Sequence, residues 1–284
     1  MQNLRIALCL VFTWSLGGIA SLEAQDLPTK RSLDEPLSAE EKDIPEEEYV
    51  PPEKIVREAF KAPPGAKQLS KQHVWIDRKQ HRVYVDGYVA MQDGSLEMFA
   101  CPMGTKEHES VIATLARSKE LHTALLAVGA QSGTPVSFVP DFVPATGQRI
   151  RVWICYYDKT GEFQAIDGRK WVRRHLTDDH MKPDWVFAGS GFWKDESSGR
   201  EFYRADSGDM ICVSNFSTAM MDVPIPSSAE ADDLQYVPYS SRIPKRGTPI
   251  RLVLVPIPLP TDKPDDQPKV DVETPPTAAI LPRK

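Results

Sequence analysis

The feature that most constrains this chain is a succession of short runs in which apolar and polar residues alternate, interrupted by a single strong helical run. HVWID and HRVYVDGYVAM, at residues 73–77 and 81–91, follow each other around a short turn, and Asp93-Gly94 then marks a hairpin turn from which SLEMFAC (95–101) returns. Asp86-Gly87 interrupts the second run and predicts a bulge. VIAT, RIRVWICYYD, EFQAI, WVFAG, REFYRA, DMICVSN and TPIRLVLVPIP supply further strands. Between them SKELHTALLAVGA places Leu121, Ala124, Leu125 and Val128 on one stripe, opens with Ser118 as a cap and stops at Gly129. Strands, one main helix and strands again lack the regular alternation of a parallel α/β sheet. The expected fold is α+β, a largely antiparallel sheet with one main helix, over about residues 65–258.

Both flanks differ from this body in composition. Residues 1–24, with Arg5 before an apolar run from Ile6 to Ala20, have the form of a secretory signal peptide cleaved after Ala20 or Ala24. The run falls short of the roughly 20 residues that span a bilayer. The expected protein is therefore exported, periplasmic or extracellular, with no membrane span after cleavage. Residues 25–64 form an acidic Pro-rich linker with a short helix expected at 53–61, where Ile55, Val56, Ala59 and Phe60 share a stripe. Residues 259–284 are Pro-rich and are expected to be a disordered tail.

The formal charge of −6 belongs to these flanks. Residues 25–64 carry eleven acids and six bases, residues 259–284 five acids and four bases, and the body is balanced. Nothing in that distribution suits nucleic acid. The partners expected are an envelope protein or a polysaccharide. Tryptophans at 75, 153, 171, 185 and 193 could stack on sugars, although core packing is their commoner use.

Chemistry concentrates in CPMGTKEHES, residues 101–110, and in His122. Strand alternation puts Glu97, Phe99 and Cys101 on one face. Cys101, His108 and His122, with Glu109 or Glu97, could bind a divalent transition metal such as zinc, although Cys-x6-His-x13-His lacks the paired ligands of the strong zinc signatures. The same three residues are the candidate catalytic set for a thiol nucleophile. A third reading makes Lys106, Glu107 and Glu109 a salt-bridged turn, His122 a helix-end residue and Cys101 a small buried hydrophobe. RKWVRRHLTDDHMKPDW, residues 169–185, offers a second cluster. Its Asp and His residues could hold a cation and its bases a phosphate, or it is a short amphipathic helix, with Trp171, Val172, His175 and Leu176 inward, and a polar loop. Of the cysteines, Cys155 and Cys212 could pair, which would leave Cys101 as the free thiol, although small buried thiols are the commoner reading of both.

The ordered set LEMFACPMGTKEHESVIAT, LHTALLAVGA, GTPVSF, DWVFAGSGFWKD, SGDMICVSNFSTAMMDVPI and RGTPIRLVL resembles the YdjY-domain family of exported bacterial proteins, of unknown function, from about Gly65 to Pro256. Glu97, Cys101, Lys106, His108, Glu109, Ser110 and His122 match the polar motif of that resemblance, which assigns them no roles. Some members are associated with ferredoxin-like iron–sulfur proteins, but this chain has no CxxCxxC run to hold such a cluster alone. The expected function is a binding or envelope-associated module; the alternative is a metal- or thiol-dependent enzyme at Cys101, His108 and His122.

Overall fold

The computed structural model describes residues 50–260 and 271–284, so the expected signal peptide and most of the acidic linker lie outside the described residues. In chain order the strands are β1 (Lys67–Ser70), β2 (Val74–Asp77), β3 (Arg82–Val89), β4 (Met98–Pro102), β5 (Ser110–Thr114), β6 (Arg149–Tyr157) and β7 (Phe163–Asp167). They continue with β8 (Val172–Arg174), β9 (Trp185–Val186), β10 (Phe192–Lys194), β11 (Glu201–Tyr203), β12 (Ile211–Cys212), β13 (Tyr236–Pro238) and β14 (Pro249–Pro256). The helices are α1 (Pro52–Ala59) and α2 (Ser118–Ala127). No helix among the described residues is long and apolar enough to cross a membrane.

The main sheet runs β12-β4-β5-β3-β14-β6-β7, with β2 also on β3 and β9 on β6. The fold is α+β as expected, and antiparallel except for β4 beside β5. Two local expectations fail. β4 does not return as a hairpin partner of β3, because the fully buried β5 lies between them. Nor does Gly87 make a bulge, since β3 pairs in continuous register with β14. Gly87 lets strands approach: a Cβ there would lie 2.2 Å from the Ala113 carbonyl oxygen.

Alternation along the strands builds two cores on opposite faces. Ile150, Val152 and Ile154 of β6 and Leu252 and Leu254 of β14 face the larger core, where α2 contributes Leu121, Ala124 and Leu125. Trp153, Cys155, Val253 and Val255 face the other way, with Tyr84, Trp75 and Phe60. That second face is covered by α1 and by residues expected to be a disordered tail. Leu281 is completely buried there, which is worth about 1.5–3 kcal/mol. Tyr157 donates to the Leu281 carbonyl at 2.9 Å, and Arg251 donates to the Ile280 carbonyl at 2.7 Å. Residues 271–284 are thus part of the domain. The tail composition misled because its few apolar residues meet a face already built by the sheet.

The RKWVRRHL segment is also corrected. It forms a single 3-10 turn at Gly168–Trp171 and then β8, with Trp171 and Val172 buried but His175 and Leu176 exposed. α2 is where the spacing placed it, yet Ser118 lies inside it and donates to the Ala205 carbonyl. The Glu120 carboxylate instead accepts from the Arg117 N–H at 2.9 Å, satisfying an unpaired donor at the helix start.

Candidate functional site

Cys101 stands on β4 with no exposed surface. Burial pushes its thiol up to about 11, although the Ser110 and Thr105 hydroxyls beside it work the other way. Cys155 and Cys212 are likewise buried and unpaired, one in the tail-facing core and the other packed with Met98 and Ala219. The possible Cys155–Cys212 pair is therefore not formed.

The turn after β4 is organised by carboxylates. Glu107 accepts from the Gly104 N–H at 2.7 Å and from the Tyr88 hydroxyl at 2.9 Å. Lys106 turns inward instead, with its ammonium 3.2 Å from Glu109, 3.2 Å from Asp209 and 3.8 Å from Glu97. Its other face lies over the Phe216 ring at 4.6 Å. Burial pulls the Lys106 pKa down, but the Asp209 and Glu109 carboxylates outweigh it and hold it above the ordinary value. Glu97 is raised by burial and by the Glu109 carboxylate beside it. Gly208 permits this arrangement, since a Cβ there would lie 2.5 Å from the Lys106 side chain. Asp209 also accepts from the Thr218 hydroxyl.

The network extends from Thr218 towards α2. The Thr218 carbonyl accepts from the Ser190 hydroxyl at 2.6 Å. Next to it, the Tyr203 hydroxyl donates to the Gly189 carbonyl at 3.0 Å, and the His122 Nδ1–H donates to that hydroxyl at 2.7 Å. Burial lowers the His122 pKa, so the imidazole is neutral at physiological pH. His122 also packs edge-on against the Phe187 and Tyr203 rings.

The four expected metal ligands are not brought together. Cys101 is buried in the sheet, the His108 side chain is 78% exposed with Glu109 3.8 Å away, and His122 has its Nδ1 on the Tyr203 hydroxyl. Among the described residues no group of three or more His, Cys, Asp or Glu is arranged to hold a metal ion. Cys101, His108, Glu109 and His122 thus stand in separate settings, and His122 bonds across to Tyr203 rather than serving the end of its own helix. Sequence reasoning missed Tyr203, Asp209 and Thr218, which carry the network and lie far along the chain from the motif they serve.

What this network supports reaches the surface. Tyr203 belongs to the hairpin of β10 and β11, where Phe192 pairs with Tyr203 and Trp193 with Phe202. One face of the hairpin is tied to the body through the buried Tyr203, with the Phe192 ring against it and the Lys119 ammonium over Phe192 at 5.5 Å, although Phe192 itself is 53% exposed. On the other face Trp193 and Phe202 stack with centroids 5.0 Å apart and planes 20° apart, and both remain exposed, at 48% and 36%. Arg200 lies 5.4 Å from the Phe202 ring. The connecting turn is held by Asp195, which accepts from the Ser197 N–H and from the Ser197 and Ser198 hydroxyls. Adjoining exposed apolar groups, unlike single ones, can mark a contact surface; Phe138 and Phe142 form a second such pair, with centroids 6.0 Å apart. The adjacent aromatic pairs Phe192-Trp193 and Phe202-Tyr203, on either side of a polar KDESSGRE run, were the available sequence signal.

The family model of the YdjY domain matches residues 74–255, a span that contains every residue of this network and the hairpin. No curated protein and no solved structure matches the chain.

Proposed function

The chain belongs to the YdjY-domain family, and from that premise we propose that it is an exported binding module of the cell envelope, with the β10–β11 hairpin as contact face and polysaccharide as ligand. The observation that carries this reading is the exposed Trp193–Phe202 pair, pre-ordered by the Asp195 turn and anchored through Tyr203 to His122. Flat aromatic faces stack on the apolar faces of sugar rings at little entropic cost, and Arg200 beside them supplies hydrogen-bond donors. The polar motif then has a supporting job, because Lys106 and His122 brace the loops from which the hairpin projects.

The alternative, a thiol- or metal-dependent enzyme at Cys101, His108 and His122, has less support. Cys101 lacks the electropositive, accessible setting that makes a thiol nucleophilic. Sedimentation with insoluble cell-wall polysaccharide tests the proposal. The full chain should co-sediment, and Trp193→Ala should weaken binding about two- to tenfold, the value of one aromatic contact. Undiminished binding by Trp193→Ala and Phe202→Ala would remove the hairpin as contact face. Capture of an envelope protein through the hairpin, without polysaccharide binding, would replace the ligand class.

A further inference from the structure

At the β7 edge of the sheet, on the face covered by the C-terminal segment, lies a cavity of about 850 Å³ lined by Arg151, Trp153, Ile166, Arg169, Lys170, His180, Arg242, Glu273 and their neighbours. That size suits a small molecule. Arg151 and Arg169 are anchored from within by Asp167 and Asp184, which leaves that buried set charge-balanced. Glu273 joins from outside. It is 75% exposed, yet both of its oxygens meet the Arg151 guanidinium at 3.1 Å in a two-pronged pair. Asp271 fixes it there by accepting from the Glu273 and Thr274 N–H groups. Across the cavity, Lys170 and Arg242 have no carboxylate partner among the described residues; Arg242 lies over the Tyr239 ring at 3.7 Å.

We propose that this cavity binds a small polycarboxylate, and that Glu273 occupies the position of one ligand carboxylate when the site is empty. The internal carboxylate demonstrates that Arg151 accepts a planar, two-oxygen anion at this place. Lys170 and Arg242 then receive a second carboxylate, while Trp153, Ile166 and Pro275 cover the carbon skeleton. The surroundings of His180 agree with positive charge in the cavity: burial lowers its pKa first, and the Lys182, Arg242 and Arg169 charges lower it further against the opposing Asp167 carboxylate. This site is separate from the aromatic hairpin and does not depend on it.

Isothermal titration of the full chain with citrate, and separately with inorganic phosphate, tests the proposal. Citrate should bind. Glu273→Ala should tighten it roughly two- to fivefold by removing an exposed competitor, and Lys170→Ala or Arg242→Gln should weaken it about tenfold or more by removing a charged partner. Lys170 is exposed, so its variant leaves the fold intact. Absence of citrate binding in both wild type and Glu273→Ala would overturn the proposal, as would affinity indifferent to Lys170 and Arg242. Phosphate binding as tight as citrate would overturn the carboxylate assignment.

Discussion

Arg251 offers the sharpest test of how this domain is held together. It lies on the central strand β14 with no exposed surface, beside an equally buried Asp86 on β3. Its Nε meets Asp86 Oδ1 at 2.6 Å and its Nη2 meets Oδ2 at 3.0 Å. The remaining donors reach the Ile280 carbonyl at 2.7 Å and the Lys61 carbonyl at 3.0 Å, and the guanidinium sits 4.8 Å from the Trp75 ring. His73 Nδ1 completes the set, 2.9 Å from Asp86. Arg251→Met keeps the apolar bulk but leaves a buried carboxylate without its main partner, which costs about 3–5 kcal/mol. The two carbonyls lose their donors as well. For a domain of this size each kcal/mol lowers Tm by about 2–4 °C, so the variant should melt roughly 6–20 °C early. Removing both charges in Asp86→Leu/Arg251→Met should cost less than the sum of the two single changes, because no charge is then stranded. Urea unfolding followed by tryptophan fluorescence reads both quantities. A single-variant loss below about 1 kcal/mol, or strict additivity in the double variant, would refute the assignment of Arg251 as the clamp between sheet and C-terminal segment.

Two further outcomes follow from buried titratable groups. At pH 8 a thiol held at about 11 is ionised to only about one part in a thousand, so Cys101, with the still more basic Cys155 and Cys212, should resist a disulfide reagent in the native protein and react after unfolding; prompt labelling of Cys101 in folded protein would contradict its burial. Asp222, buried beside Asn215, is pushed up to about 8 by desolvation against the hydrogen bonds it accepts. A raised folded pKa means the native state holds a proton that the unfolded chain releases near pH 4, so this contribution is complete below that pH and is lost as pH rises through about 8. Between pH 5 and 7 the loss is about 1.4 kcal/mol per unit; Asp222→Asn should flatten that slope, and equal slopes in the two proteins would exclude Asp222 as its source.

Local pattern carried much of the fold. Alternation in RIRVWICYYD and TPIRLVLVPIP marks β6 and β14 because a strand's two-residue period assigns each side chain a face before any partner is known. The stripe Leu121, Ala124, Leu125 and Val128 marks α2 and its buried side for the same reason, and α1 was legible in EKIVREAFK. Burial of the thiols was the commoner reading of cysteines set in apolar runs.

The candidate site was legible only as an ingredient list. Whether Cys101, His108, Glu109 and His122 converge depends on where β4, a 3-10 turn and α2 end up, and each presents its side chain in a different setting. His122 meets Tyr203 from 81 residues away, and Arg151 meets Glu273 from 122 away. Neither pairing has a local signature, because it exists only once the chain between has closed its loops and buried its own faces. The same holds for β5 lying between β3 and β4, and for the Pro-rich C-terminal segment, too polar to fold alone yet ordered by a ready-made apolar face and the Arg251 donors. Sequence by itself determined the elements with a strong period, and in β6, β14 and α2 the side each buries; tertiary structure decided the form of RKWVRRHL, strand order, the docking of the end of the chain, and which polar groups meet, since those depend on long-range closure rather than on neighbours in sequence.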